Sequence, residues 1–251
     1  MQTVEELKIK LFADGADKAG ILKLYKNPFI QGFTTNPTLM RKAGITDYEA
    51  FSRDLLESVP DRPISLEVFA DDFHEMGMQA RKIARWGDNV YVKIPITNTK
   101  RVSSLDLVRE LSADGIKVNV TALMTAEQTR QAALALADGP PAYISVFAGR
   151  VADTGRDPVP VMTKCVELLE EYPNIELIWA SPRELLNVFQ ADAIGCHVIT
   201  ATHDILAKLS LVGKDLLDYS LETVQMFHSD ATKAGYSLPI EITAGVASRN
   251  A

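Results

Sequence analysis

The chain has 251 residues and a mass of 27.6 kDa, which is long enough to bury a substantial core. It is 47% hydrophobic and 24% charged, and this ordinary composition excludes disordered, collagen-like and low-complexity proteins. The formal net charge of -7 argues against a nucleic-acid partner, because proteins that bind nucleic acids usually carry a basic excess.

Short apolar runs, interpreted as strands, alternate with longer amphipathic stretches, interpreted as helices. The predicted strands are 8–13, 32–37, 64–70, 89–95, 117–123, 142–149, 175–181 and one within 193–202. Predicted helices lie at 17–26, 47–58, 104–114, 126–137, 159–171, 205–209 and 216–234. Two more are predicted, one that begins after the capping residue Asp72 and a short one that ends at Gln190. The segment from Tyr236 onward is predicted to be a tail or an edge element.

This alternation predicts an α/β protein with a (β/α)8 TIM barrel as its single domain, over residues 1–251, and a C-terminal helical segment and tail. Several strands are apolar on both faces, as expected of parallel strands covered by helices. A doubly wound sheet is the alternative, but it normally uses fewer units. No G-x-G-x-x-G or Walker loop follows the first strand.

Polar residues lie within or directly after the predicted strands, at the end where barrel enzymes build their sites. They are Asp14, Asn36, Glu67, Lys93, Asn119, Thr121, Ser145 and Ser181. Asn119 and Thr121 share a strand and, with its period of two, point to the same face. We expect the set to converge on one pocket. Arg150 and Arg183 follow strands six and seven, and either could bind a phosphate, although a loop arginine is usually just solvated.

Lys93 is the most informative of these residues, because it lies between apolar residues in "VYVKIP". Burying an ammonium ion is costly, so one interpretation is a lysine on an edge strand that extends to the surface. The other is a nucleophile that forms a Schiff base. An amine attacks a carbonyl only when it is unprotonated, and a barrel interior of low polarity favours that form.

Asp14 and Glu67 are carboxylates in strand contexts, and each alone could be a cap, a turn residue or an ion-pair partner. Beside Lys93 they suit imine formation and carbon–carbon cleavage, which need several proton transfers. A nearby carboxylate stabilises an iminium but also the ammonium form of the lysine, and the sequence leaves this balance open. The amides and hydroxyls of four residues could bind sugar hydroxyls, namely those of Asn36, Asn119, Thr121 and Ser145. The alternative is that Asn36 belongs to a turn and that the others are ordinary polar residues within strands.

The histidines and cysteines predict neither a metal site nor a disulfide framework. His74, His197, His203 and His228 show no metal-binding spacing, and Cys165 and Cys196 are isolated. We see no signal peptide and no apolar run that could span a bilayer, so we expect a cytoplasmic protein without a membrane partner.

The motifs "FADGAD", "GFTTNPTLM", "SLEVFAD", "VYVKIP", "VNVTALMT" and "SVFAGR", taken in this order, resemble the transaldolase family of class I barrel aldolases over about residues 8–210. The resemblance implies that Lys93 forms the imine, that Asp14 is the acid/base residue, and that Glu67 and Thr121 orient the catalytic water. It further implies that Asn36, Asn119 and Ser145 bind the dihydroxyacetone portion. Arg150 would bind the phosphate of a sugar phosphate, without any cofactor.

The resemblance also separates branches within the family. In fructose-6-phosphate aldolases a glutamine takes the place of Glu67 and a tyrosine that of Phe147, so this chain looks more like a transaldolase. After strand seven, the segment around Ser181 and Arg183 is shortened to "ASPREL", which puts the acceptor aldose in doubt. Alternatives are the aldolase, a transaldolase that makes a longer ketose phosphate in secondary metabolism, or a non-catalytic barrel that binds sugar phosphates. The C-terminal segment is compatible with a homo-oligomer.

Overall fold

Eight parallel strands hydrogen-bond to one another in chain order, and β8 pairs with β1 to close a barrel. The computed structural model describes residues 2–238. The strands β1 to β8 are Lys10–Asp14, Ile30–Thr34, Ile64–Glu67, Val90–Pro95, Val118–Leu123, Ala142–Val146, Ile175–Trp179 and Val198–Thr202. The predicted (β/α)8 TIM barrel is therefore confirmed.

Helices connect the strands. In chain order, α1 to α11 are Lys18–Tyr25, Pro37–Lys42, Tyr48–Ser58, Phe73–Ala84, Leu105–Ala113, Ala126–Leu136, Ala148–Ala152, Val159–Leu169, Leu186–Ala193, His203–Ala207 and Leu216–Lys233, with a 3-10 turn at Lys208–Leu211. The predicted cap is present, since the Asp72 carboxylate accepts hydrogen bonds from the backbone of His74 and Glu75.

Two short helices were not predicted from the sequence. The sequence predicts that Pro37 ends a strand, but Pro37 occupies the first turn of α2, where proline is favoured. The strand predicted over 142–149 ends at Val146, and α7 begins at Ala148. Both helices begin directly after strands, at the C-terminal edge of the barrel, and they position residues of the site described below.

The strands are buried on both faces. Val92 and Ile94 of β4 are completely buried in the core that packs between the barrel and its helices. Because successive side chains of a strand alternate between faces, Lys93 between them points into the barrel. The sequence of β4 thus places one charged side chain on the inner face and its apolar neighbours on the outer face.

Aromatic side chains fill the barrel interior toward the N-terminal ends of its strands. The ring of Tyr143 lies 5.7 Å from that of Phe12 and 4.3 Å from that of Tyr91, measured between centroids. Gly32 makes room for this layer, because a Cβ there would come within 2.5 Å of the Phe12 ring. The cavity described below lies on the other side of this layer, toward the C-terminal ends of the strands.

Residues 2–210 form the compact barrel unit, and the chain from Leu211 belongs to a second unit. In that second unit, α11 begins after Asp215, whose carboxylate accepts from the backbone of Leu217 and Asp218. No helix within residues 2–238 combines the length and apolarity required to cross a bilayer. Most of the tail predicted from Tyr236 onward lies outside the described residues.

Candidate active site

A cavity of about 560 Å³ opens at the C-terminal ends of the strands, within the size range of small-molecule sites. The residues that line it include Asp14, Asn36, Glu67, Lys93, Thr121, Ser145, Phe147, Arg150, Ser181 and Arg183, all of which were singled out from the sequence. Asn119, the remaining predicted residue, is fully buried and hydrogen-bonds to Ser145. The barrel therefore brings the predicted residues together in one place.

Lys93 is 6% exposed, and its amine is held on two sides. Its Nζ donates to the backbone oxygen of Thr35 at 2.9 Å and lies 3.2 Å from Oε2 of Glu67. Glu67 and Lys93 are register partners on β3 and β4, so sheet pairing itself sets this contact. A lysine on an edge strand that extends to the surface is excluded, since its amine lies inside the closed barrel.

Asp14 at the end of β1 is half-buried, and desolvation raises the pKa of its carboxyl group above the ordinary 3.8. The charge of Lys93 and a hydrogen bond from Thr34 oppose that rise without cancelling it. A carboxylate with a raised pKa is better matched to proton transfer near neutral pH than an exposed one.

A chain of two hydroxyl groups ends on Asp14. Thr34 Oγ1 donates to Asp14 Oδ1 at 2.7 Å and lies 2.6 Å from Thr200 Oγ1. A hydroxyl has one proton to donate, and that of Thr34 goes to the carboxylate, so Thr200 donates to Thr34. Strands β8, β2 and β1 thus jointly fix the orientation of the carboxylate.

A second chain of hydrogen bonds crosses β3, β5 and β6. Asn119 Nδ2 donates to Ser65 Oγ at 3.0 Å, and Ser145 Oγ donates to Asn119 Oδ1 at 2.7 Å. These contacts fix which way the Asn119 amide is turned. The Ser145 oxygen, whose proton is used on Asn119, keeps its lone pairs for an acceptor role toward a ligand hydroxyl.

Thr121 faces the cavity without a protein partner for its hydroxyl group: Oγ1 is buried and makes no hydrogen bond among the described residues. The next residue, Ala122, has a φ of 65°, and the pairing of β5 with β6 shifts register there. Strained backbone of this kind clusters at functional sites. A buried hydroxyl without a partner needs a water or ligand atom to satisfy it.

Asn36 connects β2 to α2 and serves as the cap of that helix. Its Oδ1 accepts from the backbone N–H of Leu39 at 3.0 Å. This contact leaves the side-chain amide donors of Asn36 available to the cavity that it lines. The turn role and the binding role, which the sequence presented as alternatives, are compatible in this geometry.

The mouth of the cavity is built by two loops in contact. Gly149 lies so close to the Ser181 carbonyl that a Cβ on it would come within 1.5 Å of that oxygen. Ser181 itself has a φ of 59°. Arg150 is exposed beside the Phe147 ring, whereas the guanidinium of Arg183 binds Asp153 and Ser181.

Sequence reasoning missed several polar residues that support the site, namely Thr34, Ser65, Thr200 and Asp153. Thr34 at the end of β2 lies two residues before Asn36, and in an extended chain that spacing predicts that both side chains lie on the same face. Threonine is also a common strand residue, so its presence alone carried no signal. Asp153 gave no local signal, because its partner Arg183 lies 30 residues away.

A second concavity, of about 450 Å³, lies at the opposite end of the barrel and is lined in part by Lys10, Tyr91 and Tyr143. The amine of Lys10 lies 2.5 Å from the Glu176 carboxylate, and the Lys10 side chain is 42% exposed. Lys10 is therefore open to solvent, whereas Lys93 is buried inside the barrel. The cavity around Lys93 is therefore the better candidate site, and it also lies at the end that barrel enzymes use.

The chain is similar to several known proteins. Residues 11–238 match a family model described as transaldolase/fructose-6-phosphate aldolase. The chain is 35% identical over 231 residues to a probable transaldolase of Thermoanaerobacter sp., covering 92% of this chain and 100% of that protein. It is 36% identical to one of Hyphomonas neptunium over 90% of this chain and 99% of that protein. It is 35% identical to a probable transaldolase of Dehalococcoides mccartyi, over 80% of this chain and 90% of that protein.

Proposed function

The chain belongs to the transaldolase/fructose-6-phosphate aldolase family, and from this premise we propose that it transfers a three-carbon dihydroxyacetone unit between sugar phosphates. The donor is a ketose phosphate such as fructose 6-phosphate or sedoheptulose 7-phosphate, and the acceptor is an aldose phosphate. One observation carries the proposal: a lysine amine that is buried inside the barrel and shares its cavity with two carboxylates.

In the proposed reaction, the Lys93 amine attacks the C2 carbonyl of the ketose and forms a carbinolamine. Loss of water gives an iminium ion, whose positive nitrogen can accept the electrons of a breaking bond. The amine is buried inside the barrel, where the ketose enters through the cavity that Lys93 lines. Glu67 lies 3.2 Å from the nitrogen, where its carboxylate stabilises the iminium, and together with Thr121 it orients the water that leaves and returns.

Asp14 then takes the proton of the C4 hydroxyl group as the C3–C4 bond breaks. The bonding electrons move into the iminium, giving an enamine, and the remaining carbons leave as an aldose phosphate. The raised pKa of Asp14 suits it to this proton transfer, and the Thr200–Thr34 chain keeps its carboxylate oriented. The same steps in reverse add the enamine to a second aldose.

Neutral side chains bind the three-carbon unit in this proposal. Asn36 offers amide donors, and Ser145, which is oriented by Asn119, offers an acceptor for sugar hydroxyls. At the mouth, Arg150 carries a guanidinium whose fork matches a phosphate group. No additional cofactor is required, because the lysine supplies the electron sink.

Two residues favour transfer over simple cleavage. Phe147 lines the cavity but has no hydroxyl group, so it cannot donate a proton that would assist release of free dihydroxyacetone. Glu67, rather than an amide, lies beside the amine. The enamine is therefore retained on the enzyme until an acceptor arrives. An aldolase would instead release the three-carbon product without an acceptor.

The test compares transfer with release. With fructose 6-phosphate and erythrose 4-phosphate, we expect sedoheptulose 7-phosphate to form much faster than free dihydroxyacetone accumulates when the acceptor is omitted. Lys93→Met should abolish both reactions. Lys164→Met, which removes an exposed lysine from α8, should retain them. Rapid dihydroxyacetone release without an acceptor would identify an aldolase, and full transfer by Lys93→Met would refute the proposed chemistry.

A further inference from the structure

We propose that His203 is a positioning residue for Asp14, because its imidazole ring packs against the turn that follows β1 and holds the backbone that carries the carboxylate. This inference rests on the proposed function, in which Asp14 is the base, and adds a residue that the proposed reaction does not use. It also predicts a pH dependence that packing alone would not produce.

Sheet pairing places His203 beside Asp14. Strands β1 and β8 are neighbours, and Asp14 at the end of β1 is the register partner of Thr202 at the end of β8. Gly15 and His203 are the next residues along these two parallel segments. His203 is also the first residue of α10, so its position is set by both the strand and the helix. The two residues therefore leave the barrel side by side.

Two glycines make room for the imidazole ring. A Cβ on Gly15 would lie 2.8 Å from Nε2 of His203, and a Cβ on Gly20 in α1 would lie 2.6 Å from Cε1. A larger residue at either position would therefore displace the ring. The backbone N–H of Gly15 donates to the Thr34 oxygen at 3.0 Å, which fixes the same turn to β2. The ring thus contacts the segment between β1 and α1 near both of its ends.

An imidazole is not the side chain that packing alone would favour here. Nε2 of His203 is buried and has no hydrogen-bond partner among residues 2–238. An apolar side chain could fill this place without leaving a polar atom unpaired, and buried polar atoms without partners are rare in native proteins. The unpaired nitrogen lies against Gly15, the residue that follows Asp14. The ring therefore has an electrostatic role as well as a packing role.

The electrostatic role concerns the ionisation of Asp14. Desolvation raises the pKa of Asp14 most strongly, and among the charged groups near it Lys93 and His203 lower that pKa whereas Glu67 raises it. An imidazole gains its positive charge as the pH falls below neutral. Asp17, whose carboxylate caps α1, also lies beside the ring. His203 therefore helps to keep Asp14 ionised in slightly acidic solution, where a base must remain ionised to act.

The first test compares His203→Gln with His74→Gln, its matched control. Glutamine keeps a polar side chain of similar length but is never charged, and His74 is an exposed histidine on α4. In His203→Gln we expect kcat on the acidic limb of the pH profile to fall about twofold to fourfold, the scale of one partly exposed charge pair. KM for fructose 6-phosphate should not change. The carboxyl carbon signal of Asp14, followed by NMR in the resting enzyme, should titrate at higher pH. His74→Gln should change none of these measurements.

The second test determines whether the ring acts through the turn. Gly15→Ala should lower kcat in the wild type, because its Cβ meets the imidazole. His203→Ala should also lower kcat, but adding Gly15→Ala to it should cost little more, since the collision is then absent. The urea midpoint of each variant shows whether it is folded under the assay conditions.

The inference is overturned if the Asp14 signal titrates at the same pH in His203→Gln as in the wild type. It is also overturned if the losses of kcat in Gly15→Ala and His203→Ala multiply in the double variant. If the wild type transfers no three-carbon unit, the proposed function fails, and the titration of Asp14 then decides the inference about His203 by itself.

Discussion

Replacing Thr34 by valine should damage catalysis more than it damages the fold. Thr34 is 2% exposed, and its hydroxyl connects Thr200 to the Asp14 carboxylate at 2.6 and 2.7 Å. Valine keeps the shape of the side chain but removes both contacts and leaves the Thr200 hydroxyl without this partner. We expect the free energy of unfolding to fall by about 1 to 3 kcal/mol, the cost of a buried polar group left unsatisfied.

The catalytic effect follows from the orientation and the pKa of Asp14. A positioned acid or base contributes about 10²- to 10⁴-fold to rate, so partial loss of orientation should lower kcat by about tenfold to a hundredfold. The hydrogen bond from Thr34 lowers the pKa of Asp14, so removing it raises that pKa further. Because the reaction needs the ionised carboxylate as its base, the acidic limb of the kcat–pH profile should move to higher pH.

Thr129→Val is the matched control. Thr129 is fully buried on α6, and its hydroxyl contacts the Thr125 carbonyl at 3.3 Å and the Cys165 sulfur at 3.2 Å, outside the cavity. It should lose a similar free energy of unfolding, measured with urea, while keeping the wild-type kcat and pH profile. Equal kcat values for the two variants, or an acidic limb that does not move in Thr34→Val, would refute the positioning role.

Three further predictions concern stability and binding. Asp14→Asn should unfold at a higher urea concentration than the wild type at neutral pH but not below pH 3.8. The reason is that the pKa of Asp14 is raised in the folded state, so the wild type loses stability as the pH rises through that pKa. An equal or lower urea midpoint for Asp14→Asn at neutral pH would contradict this expectation. Ser65→Ala should raise KM for the ketose severalfold with a smaller change in kcat, because the Asn119 amide loses the acceptor that orients it; an unchanged KM would exclude that role. Gly149→Ala should lower the melting temperature and weaken phosphate binding, since its Cβ displaces the Ser181 carbonyl, and wild-type values of both would contradict the close approach.

The barrel could be predicted because its signal is repeated along the whole chain. Each apolar strand was followed by a helical stretch, and errors at individual boundaries did not alter the number of strand–helix units. The misplaced ends have local causes. The third strand was predicted to reach Ala70 but ends at Glu67, because a buried apolar run continues into the loop where Val68 packs in the core. A proline can end a strand and can also begin a helix. Pro37 begins a helix here because Asn36 caps the N-terminus of α2.

The location of the site was predictable for a related reason. Parallel strands present their C-terminal ends on one edge, so polar residues near those ends, such as Asp14 and Lys93, had to meet. The contacts between them were not predictable. Whether Thr34 reaches Asp14, or Arg183 reaches Asp153, depends on the register of neighbouring strands and on the path of two loops. Neither property leaves a local pattern in the sequence.

The most direct measurement of the central claim is a borohydride trap. The protein is incubated with fructose 6-phosphate, reduced with sodium borohydride, digested and examined by peptide mass spectrometry. We predict a reduced three-carbon adduct on the peptide that contains Lys93, and none on the same peptide when the sugar is omitted. An adduct confined to other lysines, or no adduct with fructose 6-phosphate or sedoheptulose 7-phosphate, would contradict imine formation at the buried amine.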